Sequence, residues 1–181
     1  MKVLVLFFCL FNFLPSFSQE SNMSISVHQD LRLLLVGDDR GNGIFTPDVL
    51  IRFEFEAFKL KKSSFPLYIG FEYADLSRST LMRFILGVGF VTKLPFSDKF
   101  LFGFYIDHGL LARGKSTFLN KSKMEESTFM GLSCNLETTY PITEKIRLSI
   151  MYQLLDRQDL SARFGGRNIN GSIFFGVKFA L

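Results

Sequence analysis

The stretch VLIRFEFEA, residues 49–57, alternates between two kinds of side chain along its whole length. Every second residue is apolar: Val49, Ile51, Phe53, Phe55 and Ala57. Three of the four residues between them are charged: Arg52, Glu54 and Glu56. Because successive side chains of a β-strand point to opposite faces, this stretch predicts a strand with one apolar and one charged face.

The same period of two recurs in seven other parts of the chain. These parts are residues 25–35, 65–73, 82–90, 100–107, 130–137, 146–154 and 172–181, of which the first is the least regular. The pattern predicts eight strands, of about ten residues each, joined only by turns and loops. Closing such an up-and-down antiparallel sheet removes its exposed edges. We therefore predict an all-β fold, an eight-stranded antiparallel up-and-down barrel.

The two faces of these strands decide what surrounds the barrel. Hydrophobic residues make up 48% of the chain, so the apolar face carries many bulky side chains. An eight-stranded barrel has an interior only just wide enough for its own side chains. The apolar face is therefore predicted to point outward to lipid, with the polar face lining the lumen, as in a transmembrane β-barrel.

The predicted lumen carries charges of both signs, which are expected to neutralise one another as a structural network that fills the barrel. A role in conduction or catalysis is less compatible with so narrow a lumen. The predicted lumenal charges are Asp30, Arg32, Arg52, Glu54, Glu56, Glu72, Arg83, Asp107, Glu137, Arg147 and Lys178.

The amino terminus has the pattern of a cleavable export signal. Lys2 supplies the positive charge, residues 3–14 form an apolar core, and the sequence SFS at 16–18 fits a small-x-small cleavage site. The apolar core is short for a membrane anchor and is followed by polar residues. We predict a signal peptide over residues 1–18 and one barrel domain over residues 19–181.

The links between strands fall into two classes. The heptapeptides LPFSDKF, residues 94–100, and YPITEKI, residues 140–146, follow one pattern of Pro, apolar residue, Ser or Thr, acid and Lys. These two heptapeptides and residues 59–64 form three short links, and successive links are two strands apart. They are therefore predicted to lie at one end of the barrel, together with both termini. The other end carries residues 37–48, a very short link near residues 75–79, and then residues 112–127 and 156–170. Short periplasmic turns and longer outer loops are typical of bacterial outer-membrane barrels.

With its export signal, its repeated turns and its carboxyl-terminal FFGVKFAL, residues 174–181, the sequence resembles the small eight-stranded outer-membrane β-barrel proteins of Gram-negative bacteria. In that family the last strand carries a signal for the barrel-insertion machinery, and Gly176, Phe179 and Leu181 stand at its positions. Phe174 stands where a polar residue is typical. The resemblance implies an outer-membrane location and the insertion machinery as a partner during biogenesis.

No residue pattern points to a catalytic, cofactor or metal site. The two histidines are His28 and His108, and alternation places His108 on the outer face, away from Asp107. Cys134 is the one cysteine beyond the predicted signal and is expected to act as a small apolar side chain. The acidic stretch GDDRGNG, residues 37–43, lacks the flanking helices of a calcium-binding loop, so we predict an exposed turn.

The surface charge suggests a lipid partner rather than a nucleic acid. The net charge is +4, but its 21 basic residues are scattered through the chain, so nucleic-acid binding is not expected. One loop, residues 112–127, is basic at the height expected for lipopolysaccharide phosphates. Its predicted lipopolysaccharide contacts are Arg113, Lys115, Lys121 and Lys123.

Three functions stay open at this point. The preferred one is a non-enzymatic outer-membrane barrel with a plugged, charged lumen, whose loops have an envelope-structural or surface-binding role. The alternatives are a secreted soluble barrel that holds a small apolar ligand in its mouth, and an outer-membrane lipid-modifying enzyme, either a hydrolase or an acyltransferase.

Overall fold

The alternating segments form eight strands in the computed structural model, with one short helix between the first two. The structure describes residues 23–37, 42–76, 79–114, 127–156 and 169–181. The predicted signal peptide, residues 1–18, lies outside them. The strands are β1 Met23–Asp30, β2 Asp48–Lys59, β3 Ser63–Leu76, β4 Ser79–Leu94, β5 Ser97–Gly114, β6 Ser127–Pro141, β7 Ile146–Asp156 and β8 Ile169–Ala180. The helix α1 is Leu31–Leu35.

Every strand pairs antiparallel with its neighbours in sequence, and β1 also pairs with β8. Closure is visible at Ser26, which lies opposite Arg52 of β2 on one side and Lys178 of β8 on the other. Each described strand is therefore bonded along both edges. The predicted all-β, eight-stranded, antiparallel up-and-down barrel is confirmed.

The two ends of the barrel differ in their connections. Short links at residues 60–62, 95–96 and 142–145 join β2 to β3, β4 to β5 and β6 to β7. The backbone N–H of Leu181 donates to the carbonyl of Met23 over 3.0 Å, so both chain ends of the barrel lie on this same side. We call this side the turn end and the opposite side the loop end. The predicted arrangement of the short turns is confirmed.

The prediction that the first strand extends to residue 35 is wrong. The strand ends at Asp30, whose carboxylate accepts the N–H groups of Arg32 at 2.8 Å and Leu33 at 3.1 Å. This cap satisfies two donors at the start of α1 and turns the chain out of the sheet. Arg32 is therefore not a lumenal charge: it lies on the helix, and its side chain is 45% exposed.

The outward face of the barrel is a largely apolar belt. Large hydrophobic residues alternate with buried ones, as on β4, where Phe84 and Leu86 are exposed and Arg83 and Ile85 are buried. Each strand contributes to this outer belt, for example through Val27, Phe53, Ile69, Leu86, Ile106, Leu132, Ile150 and Ile173. Within the described residues, no helix is long and apolar enough to cross a membrane.

Candidate functional site

The lumen brings together most of the predicted charged residues. Those that are buried are Asp30, Arg52, Glu54, Glu72, Arg83, Asp107 and Glu137. Lys178 is largely buried as well. Alternation explains this, because the polar residues that alternate with apolar ones along a strand share its inward face. Six of the seven buried charges, with Lys178, form two ion-pair clusters inside the barrel.

The first, which we call the Arg52 cluster, lies on the turn-end side of the lumen. The Nη2 atom of Arg52 contacts a carboxylate oxygen of Glu137, and it lies 3.1 Å from Oε1 of Glu54. The Nζ atom of Lys178 contacts the other oxygen of Glu54. Two cations and two carboxylates therefore balance. A buried charge is tolerated when it is paired and hydrogen-bonded in this way.

The second, which we call the Arg83 cluster, lies nearer the loop end. Arg83 reaches Oε2 of Glu72 at 2.6 Å and Oδ1 of Asp107 at 3.5 Å. Asp107 also accepts hydrogen bonds from Tyr68 at 2.6 Å, Ser133 at 2.5 Å and Asn135 at 2.6 Å. These neutral donors support the second carboxylate, because the cluster has only one cation for two acids.

Two tyrosines connect the clusters. The ring of Tyr68 packs edge-on against Tyr105, with centroids 5.6 Å apart. The Arg52 guanidinium carbon lies 4.8 Å from the Tyr105 centroid and 5.5 Å from that of Tyr68. The faces of aromatic rings attract a cation placed over them, so the two tyrosines stabilise the charged guanidinium of Arg52. The clusters and tyrosines together form what we call the lumenal plug.

Glycines make room for these rings. Gly87 lies directly opposite Tyr68, and Gly89 opposite Tyr105, in the strand register. A Cβ atom on Gly87 would lie 2.3 Å from the Tyr68 ring, and one on Gly89 would lie 2.3 Å from Tyr105. The sequence analysis did not identify this pairing. The sequence signal that could have identified it is an aromatic residue directly opposite a glycine on the neighbouring strand.

The plug also has an apolar part that the sequence analysis underestimated. Leu50, Ile85, Met151 and Phe174 are buried and pack with the two tyrosines. The expectation that a network of charges fills the lumen is therefore incomplete. Phe174, the residue at an ordinarily polar position, points into the lumen and is fully buried.

The other predicted lumenal charges lie at the ends of the barrel. Asp30 caps α1 instead of joining a cluster. Glu56 accepts a hydrogen bond from Ser64 at 3.2 Å and lies 3.9 Å from Lys59. Arg147 donates to the Thr139 hydroxyl at 3.3 Å. These contacts belong to the rims of the barrel and not to its centre.

A cavity of about 220 Å³ opens at the turn end. Its lining includes Glu56, Arg147 and Lys178 at the rim, and Glu54 and Tyr105 of the plug. The cavity therefore reaches the Arg52 cluster and has the plug as one of its walls.

A contact among His28, Ser149 and Glu137 was also missed by the sequence analysis. His28 Nε2 lies 2.9 Å from Ser149 Oγ, which donates to Glu137 over 2.5 Å. In a hydrolytic triad the acid binds the other ring nitrogen and the histidine receives the serine proton. Here the acid takes the serine hydrogen bond directly, and Nδ1 of His28 has no hydrogen-bond partner among the described residues. All three side chains are buried, so the serine is not presented to a substrate.

The remaining residues singled out in the sequence lie apart from the plug. His108 is exposed on the outer face and Asp107 is buried, as alternation predicted. Cys134 is a free thiol on the outer wall. Within the described part of the chain, no group of three or more His, Cys, Asp or Glu residues could hold a metal ion.

Several predicted residues cannot be placed. Lys115, Lys121 and Lys123 lie outside the described residues, as do residues 38–41 of the acidic turn. Arg113 belongs to β5, but its side chain is likewise outside the description.

The three residues of the predicted insertion signal lie at the turn-end half of β8 and beyond it. Gly176 faces the lumen opposite His28, where an added Cβ would lie 2.3 Å from the carbonyl oxygen of Val27. Phe179 and Leu181 are exposed.

The chain is similar in fold to solved structures of small outer-membrane barrels. Neisserial surface protein A (NspA) has 10% sequence identity and a TM-score of 0.52, over 88% of this chain and 95% of that one. The Yersinia pestis outer membrane protein Ail, in a phospholipid bilayer nanodisc, has 12% sequence identity and a TM-score of 0.53, over 88% of this chain and 99% of that one. The crystal structure of Ail, the attachment invasion locus protein of Yersinia pestis, has 9% sequence identity and a TM-score of 0.52, over 89% of this chain and 99% of that one.

Neither the protein-family models nor the curated proteins include a match to this sequence. At such low identities the structural likeness shows a shared fold and does not transfer a function.

Proposed function

We propose that the chain is a small, non-enzymatic outer-membrane β-barrel with a closed lumen, whose loops have an envelope-structural or surface-binding role. The observation that carries this proposal is the pairing of an apolar outer belt with a charged, packed interior. Water outside the barrel would leave the belt unfavourably exposed, whereas the hydrocarbon core of a bilayer would surround it with apolar groups. The shared fold with NspA and Ail supports the same location.

The soluble alternative fits the geometry poorly. A soluble barrel that carries an apolar ligand needs an apolar interior and a polar outer surface. Here the interior contains Arg52, Arg83 and their acidic partners, and the outer surface carries the large aliphatic and aromatic residues. We therefore favour the membrane barrel.

In the enzyme alternative, neither of the two histidines, which both lie in the described residues, has an accessible nucleophile beside it. His28 and Ser149 are buried beside Glu137 of the Arg52 cluster. His108 faces outward, and the buried Asp107 behind it cannot orient its ring. A lipid-modifying enzyme would need a base and a nucleophile within hydrogen-bond reach of each other and of a substrate.

The plug predicts a barrel that does not conduct. Purified protein in a planar bilayer should give no discrete conductance steps at either polarity. Its folding should be checked in the same sample by the difference in gel mobility before and after boiling. Regular conductance steps from a sample that shows this mobility difference would contradict the closed lumen.

Lipopolysaccharide is the proposed ligand of the loop end. Replacing Arg113, Lys115, Lys121 and Lys123 with Gln should weaken association with lipopolysaccharide in a direct binding assay, since phosphate recognition depends on these charges. A matched control replaces Lys61, Lys62, Lys99 and Lys145 with Gln at the turn end, with the same change in charge. Equal binding by wild type and both variants would rule out this contact.

A further inference from the structure

The turn end presents a large apolar residue at the tip of each of its three short turns. Leu60 is 61% exposed, Phe96 is 78% exposed and Ile142 is 55% exposed. Phe96 and Ile142 hold the same position in the repeated heptapeptide, directly after Pro95 and Pro141. Turn tips in contact with water usually carry polar residues, so three apolar tips at one end indicate a contact surface.

Hydrogen bonds hold these tips in place. In the second turn the hydroxyl of Ser97 accepts from the N–H of Lys99 at 3.3 Å, and in the third Thr143 accepts from Lys145 at 3.3 Å. The first turn is bonded to β4, where the N–H of Lys93 donates to the carbonyl of Lys62 over 3.0 Å. The repeated Ser or Thr thus fixes each turn of the heptapeptide with its apolar residue outward.

Lysines surround the tips. Lys61, Lys62, Lys93, Lys99 and Lys145 are exposed at this end. None of them has an ion pair with a carboxylate in the part of the chain whose side chains are described. The surface therefore combines apolar tips with positive charges that are available for an anionic partner.

The apolar tips continue the lipid-facing surface of the strands. Two aromatic pairs lie on the outer wall near the turns: Phe65 with Phe90, and Phe100 with Tyr140. Aromatic girdles of this kind mark the level of a membrane interface. A surface that extends the girdle and adds lysines matches the headgroup layer, where apolar groups meet acyl chains and lysines meet phosphates.

We infer that the turn end is seated in the headgroup layer of a leaflet that contains anionic phospholipid. Leu60, Phe96 and Ile142 insert among the lipids, and the lysines bind their phosphates. This inference rests on the proposed membrane location and adds a lipid partner to it. The repeated heptapeptide then contributes both the turn and its two lipid contacts, the apolar tip and the Lys.

A single tryptophan tests the inference, because the chain contains none. Phe96→Trp places a tryptophan at a turn tip, and Phe104→Trp places one in the outer belt of the next strand, β5. We call these the tip tryptophan and the belt tryptophan. Each variant is reconstituted into phosphatidylcholine vesicles, with or without phosphatidylglycerol, and its fluorescence is quenched by brominated lipids or by aqueous iodide. We expect brominated lipid to quench both tryptophans and iodide to leave both largely unaffected.

The preference for anionic lipid is tested in mixed vesicles in which either the phosphatidylglycerol or the phosphatidylcholine is the brominated lipid. The attraction of a lysine to an anionic surface corresponds to about a fivefold preference, so brominated phosphatidylglycerol should quench the tip tryptophan at least about twofold more than brominated phosphatidylcholine. Replacing Lys61, Lys62, Lys99 and Lys145 with Gln in the Phe96→Trp background should remove this preference. The loop-end variant that replaces Arg113, Lys115, Lys121 and Lys123 should keep it.

The outcomes separate this inference from the proposed function. Lipid quenching of the belt tryptophan together with iodide quenching of the tip tryptophan would overturn the seated turn end and leave the membrane barrel intact. Quenching of the tip tryptophan that is equal for both headgroups would overturn the anionic partner. Iodide quenching of both tryptophans in folded protein would overturn the membrane location, and the inference with it.

Discussion

Arg52 is the residue on which the packing of the lumen depends most. Its guanidinium contacts two carboxylates, those of Glu54 and Glu137, and lies over two aromatic rings. Such a group is stable in a barrel interior only while its partners remain in place, because an uncompensated buried charge is strongly destabilising. The consequences of changing one partner are therefore large and measurable.

Changing Glu137 to Gln should destabilise the barrel. The substitution keeps the shape of the side chain but removes the charge that pairs with Arg52, so we expect the free energy of unfolding to fall by about 3 kcal/mol. Urea unfolding in detergent micelles, followed by circular dichroism, measures the difference.

The matched control for this change is Glu144→Gln, the same substitution at an exposed turn position. It should change the free energy of unfolding by less than about 0.5 kcal/mol. A double variant, Arg52→Met with Glu137→Leu, should be more stable than Glu137→Gln alone, because it leaves no unpaired charge. Equal stability of Glu137→Gln and wild type would show that the ion pair contributes little.

Gly87 tests the fit of the tyrosine rings. In Gly87→Ala the new methyl group would lie 2.3 Å from the Tyr68 ring, so the ring must move away from Asp107 and Tyr105. Overpacking of this kind costs about 1–3 kcal/mol in the free energy of unfolding. Gly43→Ala is the control, since nothing lies within 4 Å of its added methyl group. A Gly87→Ala barrel as stable as the control would contradict the packing described for the plug.

Among the elements, β8 is predicted to carry an insertion signal in addition to closing the barrel. Phe175 and Phe179 lie on its outer face with nearly equal exposure, 40% and 39%. If the end of the strand is an insertion signal, replacing Phe179 should affect assembly in cells and replacing Phe175 should not, although the two side chains are packed alike. Phe179→Ala should lower the folded, membrane-inserted fraction in cells severalfold, whereas Phe175→Ala should not.

The assembly effect is measured as the share of protein that shows heat-dependent gel mobility in isolated membranes. Refolding of both variants from urea into detergent should be equally efficient, because no insertion machinery takes part there. If both variants assemble equally well in cells, Phe179 is not part of the signal.

The strands and short turns were predictable from sequence because their determinants are local. Alternation in residues 49–57 depends only on which face of one strand is buried, and Pro95 and Pro141 lie where β4 and β6 end. Helix α1 was missed because Leu31, Leu33 and Leu35 continue the period of two. The local cap by Asp30 outweighs that pattern over the five residues of the helix.

At the scale of the whole molecule, the partners within the lumen could not be predicted from one strand at a time. Arg52 and Glu137 are separated by 85 residues, and His28 and Ser149 by 121. Their contact depends on the closure of β1 onto β8 and on the register of all the strands between. Alternation predicts which side chains point inward, but only the closed barrel determines which of them meet.

The central claim is that the apolar belt of this barrel contacts lipid in an outer membrane. The most direct test is the location of the folded protein after cell fractionation and an alkaline, high-salt wash. We predict that it stays in the outer-membrane pellet, leaves it only with detergent, and migrates differently before and after boiling. Folded protein in the soluble periplasmic pool without detergent would contradict the account.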